Sequence, residues 1–243
     1  MSTLRERLNK TKSLTFTFSA IFAVLVFLVT SGFSLYIPQT RGFFNIGEAA
    51  VYVAALLGGP YIGSFAGGFG SMLADIFLGY YIYAPATLVI KGLEGFIVGY
   101  LSRRGFSKPT SRSKALGLAL TLAIGVCLLS LGSLFYIGEA EITIQLPLLY
   151  NQLVTVELIP LFWAFIALLF IVCVSHLILK NPDAIWLILA MAVGGIAMVL
   201  GYFLYEQLIL GVVAVAEIPF NVSQMLVGMT VAIYIYRGVK ALS

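Results

Sequence analysis

Four ionisable residues occupy a stretch whose composition otherwise suits hydrocarbon. Between Phe43 and Arg104 three apolar segments follow one another almost without linkers, and they carry Glu48, Asp75, Lys91 and Glu94. A charge in lipid is costly, so such side chains face a protein interior or a wet cavity and mark a pathway or a ligand site. Their chemistry is that of hydrogen bonding, charge pairing or proton relay. Lys91 and Glu94 are i,i+3 neighbours, so a plain ion pair within one helix is also open to them, with Asp75 as a third partner. Glycines accompany the charges: Gly63, Gly67, Gly68, Gly70, Gly92, Gly95 and Gly99 would let neighbouring backbones approach closely, as membrane helices do.

The elements that must position these groups are helices with polar seams. Residues spaced i, i+4, i+7, i+11 share one face. Ser64, Gly68, Ser71 and Asp75 form one seam, and Thr87, Lys91 and Glu94 a second. Glu217, Asn221, Gln224 and Gly228 form a third, Tyr202 and Glu206 a fourth, Glu48 and Tyr52 a fifth. At a rise of ~1.5 Å per residue, Gln224 lies about 10 Å in from Glu217, and Glu94 about 15 Å in from the outer end of its helix. The seams therefore predict a cavity in the outer half of the membrane. Phe43, Phe44, Tyr80, Tyr81, Tyr83 and Tyr205 would line it, or would form the aromatic belt common at membrane interfaces.

Composition sets the class. The 243 residues are 61% hydrophobic and 10% charged, against about 25% charged in soluble domains. This excludes disorder and a soluble enzyme core. Cys127 and Cys173 are too few for a disulfide framework and are expected to be small buried hydrophobes. A single histidine, His176, leaves no material for zinc or histidine catalysis, and neither a metal nor a cofactor is expected.

The fold class expected is all-α, a polytopic bundle of about eight spans at 14–37, 43–58, 60–80, 84–102, 115–137, 156–179, 184–206 and 214–236. The first is too long for a signal-peptide core and lacks an A-x-A site, so it is expected to be retained. With the N-terminus inside, Arg5, Arg7, Lys10, Lys12, Arg103, Arg104, Lys108, Arg112, Lys114, Lys180, Arg237 and Lys240 are cytoplasmic. Of the 14 basic residues, that leaves only Arg41 in an outer loop and Lys91 within a span. The positive-inside rule then puts both termini in the cytoplasm. Acids run the other way: Glu139, Glu141 and Glu157 lie in or beside the outer loop 138–155. Pro85 and Pro219 fall in first helical turns, where a missing N–H does little harm.

The runs FNIGEAAVYVAALLGGP, GSMLAD, YAPATLVIKGLEG, GYFLYEQLILG and EIPFNVSQMLVG resemble the substrate-binding S component of energy-coupling-factor (ECF) vitamin transporters, with the nearest likeness in the riboflavin-type branch. The resemblance covers about 1–104 and 184–243. It implies a cell-membrane protein that captures a vitamin-like molecule from outside and works with a membrane coupling subunit and two cytoplasmic ATP-binding subunits. It implies no catalysis by this chain. Family members usually have six spans. Residues 105–183 would then be an inserted helix pair between core segments 1–104 and 184–243, acting as a prop, a dimer surface or a cover.

Carried over, the loop 38–47 and the outer ends of spans four, seven and eight form the pocket. The candidate substrate contacts are Asn45, Glu48, Asp75, Tyr83, Lys91, Glu94, Glu206, Glu217, Asn221 and Gln224. Spans one to three would face the coupling subunit, with Ser19 and Ala23 as a small-xxx-small contact. Two other classes fit the composition. A self-sufficient carrier or channel would use Lys91, Asp75 and Glu94 as a proton relay, but the halves show no inverted repeat. A membrane enzyme would need a motif such as HExxH or G-x-S-x-G, and the sequence holds neither. A phosphate-binding loop is also missing, so any ATP use falls to a partner.

Overall fold

The computed structural model describes residues 12–37, 42–104, 110–135, 137–146, 150–180 and 184–241. The expected cytoplasmic residues Arg5, Arg7, Lys10 and Lys108, and Arg41 in its outer loop, lie outside these. Eight helices stand among the described residues: α1 (Lys12–Gly32), α2 (Gly47–Gly58), α3 (Pro60–Leu78), α4 (Ala84–Leu101), α5 (Ser111–Phe135), α6 (Pro160–Lys180), α7 (Ala184–Leu210) and α8 (Ile218–Ala241). Six apolar helical stretches are long enough to cross a bilayer, and the last of them, Ala184–Ala241, contains both α7 and α8. The protein is a polytopic helical membrane protein.

The helix ends follow local chemistry. Gly59 (φ 86°) closes α2, and Pro60 opens α3 in the next residue. Gly79 (φ 88°) ends α3 in the left-handed conformation that glycine adopts most readily, its N–H reaching the Asp75 and Ile76 carbonyls. Pro85 lies in the first turn of α4, as expected. Pro219 is likewise the second residue of α8.

The helical fold is as expected, but the connections at one end of the bundle are not plain loops. A four-stranded antiparallel sheet caps one end of the bundle, in the order β2-β1-β3-β4. Its strands are β1 (Ser34–Ile37), β2 (Gly42–Asn45), β3 (Gly138–Leu146) and β4 (Tyr150–Leu158). Leu35 pairs with Phe44 on one side and with Ile144 on the other. The outer loop expected at 138–155 is thus a β-hairpin in register from Gly138↔Leu158 to Leu146↔Tyr150. The first span accordingly stops at Gly32, and the second begins at Gly47. At ~1.5 Å per residue, α2 is only about 18 Å long, well short of a ~30 Å hydrocarbon core. The strand β2 continues its path to the surface. Between α7 and α8 the chain makes a short 3-10 turn, Gly211–Glu217, so Glu217 precedes the last helix instead of lying within it.

Backbone approach between α3 and α4 is close enough to require glycine. A Cβ on Gly95 would stand 2.2 Å from the Gly63 carbonyl oxygen, and one on Gly67 or Gly68 would stand 2.7 Å from a carbonyl of α4. Gly92, expected to serve the same purpose, has ordinary room, with its nearest neighbour at 3.5 Å. The main core lies where α2, α7 and α8 meet, around Tyr52, Leu56, Met191, Met198, Met225 and Met229. The α5–α6 hairpin packs mainly on itself and leans on α8, with Trp163 buried against Phe220. Large apolar side chains such as Leu168, Leu169 and Val172 point outward, as a lipid-facing surface requires. Cys127 is exposed and Cys173 half-buried, contrary to their expected burial, because both lie on the outer faces of this hairpin.

Candidate substrate-binding cavity

The polar seams converge. One cavity, about 500 Å³ out to its mouth, is lined by Thr30 of α1, Phe43 and Asn45 of β2, and Gly47 and Glu48 at the start of α2. Ser71 and Asp75 of α3, Tyr83, Thr87 and Lys91 on and before α4, and Tyr202 and Glu206 of α7 complete much of its wall. Glu217, Asn221 and Gln224 close the far side. Every expected contact residue except Glu94 lines this cavity.

Glu94 lies beneath it. The side chain is fully buried and accepts a hydrogen bond from the Tyr52 hydroxyl at 3.1 Å. Its other oxygen stands 3.2 Å from the Lys91 ammonium, the i,i+3 pair foreseen from spacing. The second partner of Lys91 is Glu48 on α2 and not Asp75. Lys91 thus bridges two carboxylates from different helices, and its ammonium also stands 5.9 Å from the Tyr202 ring centroid, within cation–π reach. All three charged residues are at most 4% exposed. Such a triad stands only because each charge is paired, since one carboxylate left alone would carry the full cost of desolvation.

The wall above this floor is tied by polar contacts. Gln224 Oε1 accepts the Asn45 backbone N–H at 3.0 Å, joining α8 to β2. Asn45 Oδ1 accepts the Gly47 N–H at 2.8 Å and shapes the entry to α2. Tyr202 donates to Thr87 Oγ1 at 3.0 Å, joining α7 to α4. Glycine again permits the approach: a Cβ on Gly228 would meet Glu48 Cγ at 2.5 Å. At the mouth, Phe43 stacks on Tyr80 with centroids 4.4 Å apart, and Tyr83 meets Tyr205 edge-on. Tyr81 points away and is 69% exposed. Tyr83 stands in the turn ahead of α4. Burial, reinforced by Glu206 and Glu217, pushes its phenol above the usual value, so it remains a hydrogen-bond donor.

Thr30 and Gly47 belong to the lining although no seam pointed to them. Thr30 ends an apolar run, and only the Thr30–Ser31–Gly32 cluster hinted that the chain turns inward there. Ser19 and Ala23, expected as a contact for a coupling subunit, are instead 6% and 8% exposed and pack inward. A Cβ on Gly70 would meet the Ala23 carbonyl at 2.6 Å, so this small-residue pair seats α1 on α3. The face α1 presents outward is Phe16, Val24 and Leu28.

A multi-pass helical protein with a polar cavity walled by several of its helices suits a membrane binding or transport subunit. Residues 9–182 match the family model described as "ECF-type riboflavin transporter, S component". The chain belongs to that family. The matched stretch takes in the α5–α6 hairpin and stops ahead of α7. An uncharacterized protein from Pyrococcus woesei, described as lying "in gap 3'region", is 51% identical over 67 residues, which is 28% of this chain and 45% of that protein. The chain thus spans less than half the length of that relative. No solved structure matches.

Proposed function

We propose that this chain is the substrate-capturing subunit of an ATP-driven ECF importer, binding a vitamin-like small molecule in the cavity from the extracellular side. One observation carries the reading: side chains from α2, α3, α4, α7 and α8, scattered over the sequence, line a single cavity with a closed, charged floor. Arg103 and Arg104 just after α4, Lys180 in the last turn of α6, and Arg237 and Lys240 near the end of α8 all stand at the helix ends opposite the cavity mouth. That asymmetry supports cytoplasmic termini and an outward-facing mouth. With no phosphate-binding loop in the sequence, energy comes from the two ATP-binding subunits through a membrane coupling subunit. The outward faces of α1 and α3, including Phe16, Leu28, Tyr61 and Phe77, are the surface offered to that subunit. In this scheme the α5–α6 hairpin is an addition to a six-helix core, propping α8 and reaching the pocket wall through the sheet.

The test is to purify the full chain from its host membrane, denature it and identify any released small molecule by mass spectrometry. A stoichiometric organic molecule is expected, and Asn221→Ala or Glu217→Ala should lower its occupancy without preventing membrane insertion. Gradient-driven uptake into liposomes by the chain alone, with no bound molecule recovered, would replace this reading with that of a self-sufficient carrier.

A further inference from the structure

Two carboxyl groups on the upper wall of the cavity, Asp75 and Glu206, are 3% and 2% exposed. Each keeps one buried oxygen, Asp75 Oδ2 and Glu206 Oε2, without a hydrogen-bond partner. Buried polar atoms in that condition are rare in folded proteins and point to a partner from outside the chain. Their setting differs from that of the floor, where Glu48 and Glu94 share the Lys91 ammonium. Lys91 is the only basic side chain among the described lining residues, and that pairing commits it. The groups around Asp75 are Thr30 of α1, Glu48 of α2, Thr87 and Lys91 of α4, Tyr83 ahead of α4, and Tyr202 of α7. Glu206 stands among Tyr83 and a second acid, Glu217. A carboxyl shut away from water and outside any ion pair keeps its proton, because the neutral form avoids desolvating a charge. It is then a donor through its O–H and an acceptor through its carbonyl oxygen.

We infer that Asp75 and Glu206 meet the occupant as carboxylic acids, giving their O–H groups to carbonyl oxygens or ring nitrogens of an uncharged molecule. The inference rests on the cavity being the substrate site. Each acid carbonyl receives an N–H in return, so an amide or lactam edge, with acceptor and donor side by side, matches an acid through two bonds. A permanently charged guest finds no counter-charge on this wall. Lys91 is spent on the floor, and the two acids carry no charge of their own. The stacked Phe43–Tyr80 pair and Tyr83 at the mouth offer ring faces to the apolar body of such a molecule. Wall and floor therefore select differently: the wall reads hydrogen-bonding edges, and the floor is closed by its own ion pairs.

The probe is riboflavin, the molecule in the family's description, which is uncharged and carries a lactam edge on its ring system. Its affinity for the detergent-purified full chain is measured by flavin fluorescence at fixed ionic strength. An acid that loses its proton stops donating and sets a charge against the guest's acceptor. Affinity should therefore fall about tenfold or more as pH rises from about 5 to about 8.5. Asp75→Asn and Glu206→Gln cannot ionise yet keep a donor and an acceptor. Combined, they should flatten the pH profile and hold most of the low-pH binding that Asp75→Ala with Glu206→Ala loses. That flattening would assign the profile to these two acids and not to Lys91, Glu217 or the tyrosines. Wild-type affinity that stays constant or rises with pH overturns the inference, whether or not the alanine variants fold. An Asn/Gln variant that keeps the wild-type slope overturns it as well, as does riboflavin binding at no pH. Recovery of a permanently charged molecule from the native protein would also overturn it, yet leave the substrate-capturing reading intact. An empty native protein that transports unaided would remove both.

Discussion

The helix pairs α3–α4 and α5–α6 solve the same problem, holding two rods together in lipid, by different means. In α3–α4 the contact is backbone on backbone: Gly63 and Gly95 face each other, and Gly67 and Gly68 abut α4 carbonyls. That pair carries Asp75, Lys91 and Glu94, all buried. In α5–α6 the contact is side chain on glycine, with Ile171 over Gly125 and Trp163 over Gly132, and no charged residue of either helix is buried. The pair that aims polar groups sets backbone against backbone at Gly63, Gly67, Gly68 and Gly95. The pair that only fills space uses side chains.

Four substitutions probe that contrast. The largest effect is expected from Lys91→Met, which leaves Glu48 and Glu94 facing each other without their cation. A loss of about 3–5 kcal/mol is anticipated, enough to abolish monodisperse protein on detergent gel filtration. Restoring charge balance with Glu48→Gln and Glu94→Gln in the same chain should recover the fold, and a triple variant that still aggregates would show that the triad is not the reason. Next comes Gly95→Ala, whose Cβ meets a carbonyl that cannot move aside. About 1–3 kcal/mol of overpacking should lower the midpoint of thermal unfolding. Gly125→Ala is the matched control in the other pair, because its Cβ meets Ile171 Cδ1, the far end of a flexible side chain. A midpoint close to wild type is expected there, and equal losses at both glycines would erase the distinction drawn here. The smallest effect belongs to the hairpin's lipid face: Leu168→Ile, at a site 61% exposed, should fall within about 0.5 kcal/mol of wild type.

The same contrast explains what was legible in the sequence. Helices and polar seams could be read because Glu48, Asp75, Lys91 and Glu94 are conspicuous in apolar runs, and helical spacing says which residues share a face. Which seam meets which was not legible. Lys91 finds Glu48 across 43 residues, a partner that only the packing of α2 beside α4 reveals, while the local i,i+3 partner Glu94 could be named in advance. The sheet was missed for the same reason. EITIQL and LVTVEL alternate β-branched and polar residues, a strand signal in their own right, but β3 needs β1, more than a hundred positions away, to complete its ladder. Ser19 and Ala23 show the converse error: small residues four apart announce a close contact without saying which neighbour makes it.

The sealed floor under Lys91 has one consequence for traffic. Tyr52 and Glu94 are fully buried below it, and deeper still the α3 and α4 backbones touch. The cavity is therefore a cup and not a pipe: a guest leaves by the rim over which it came. For the capturing role proposed above, the way to the opposite face therefore does not run through this floor as it stands, because the α3 and α4 backbones leave no gap there.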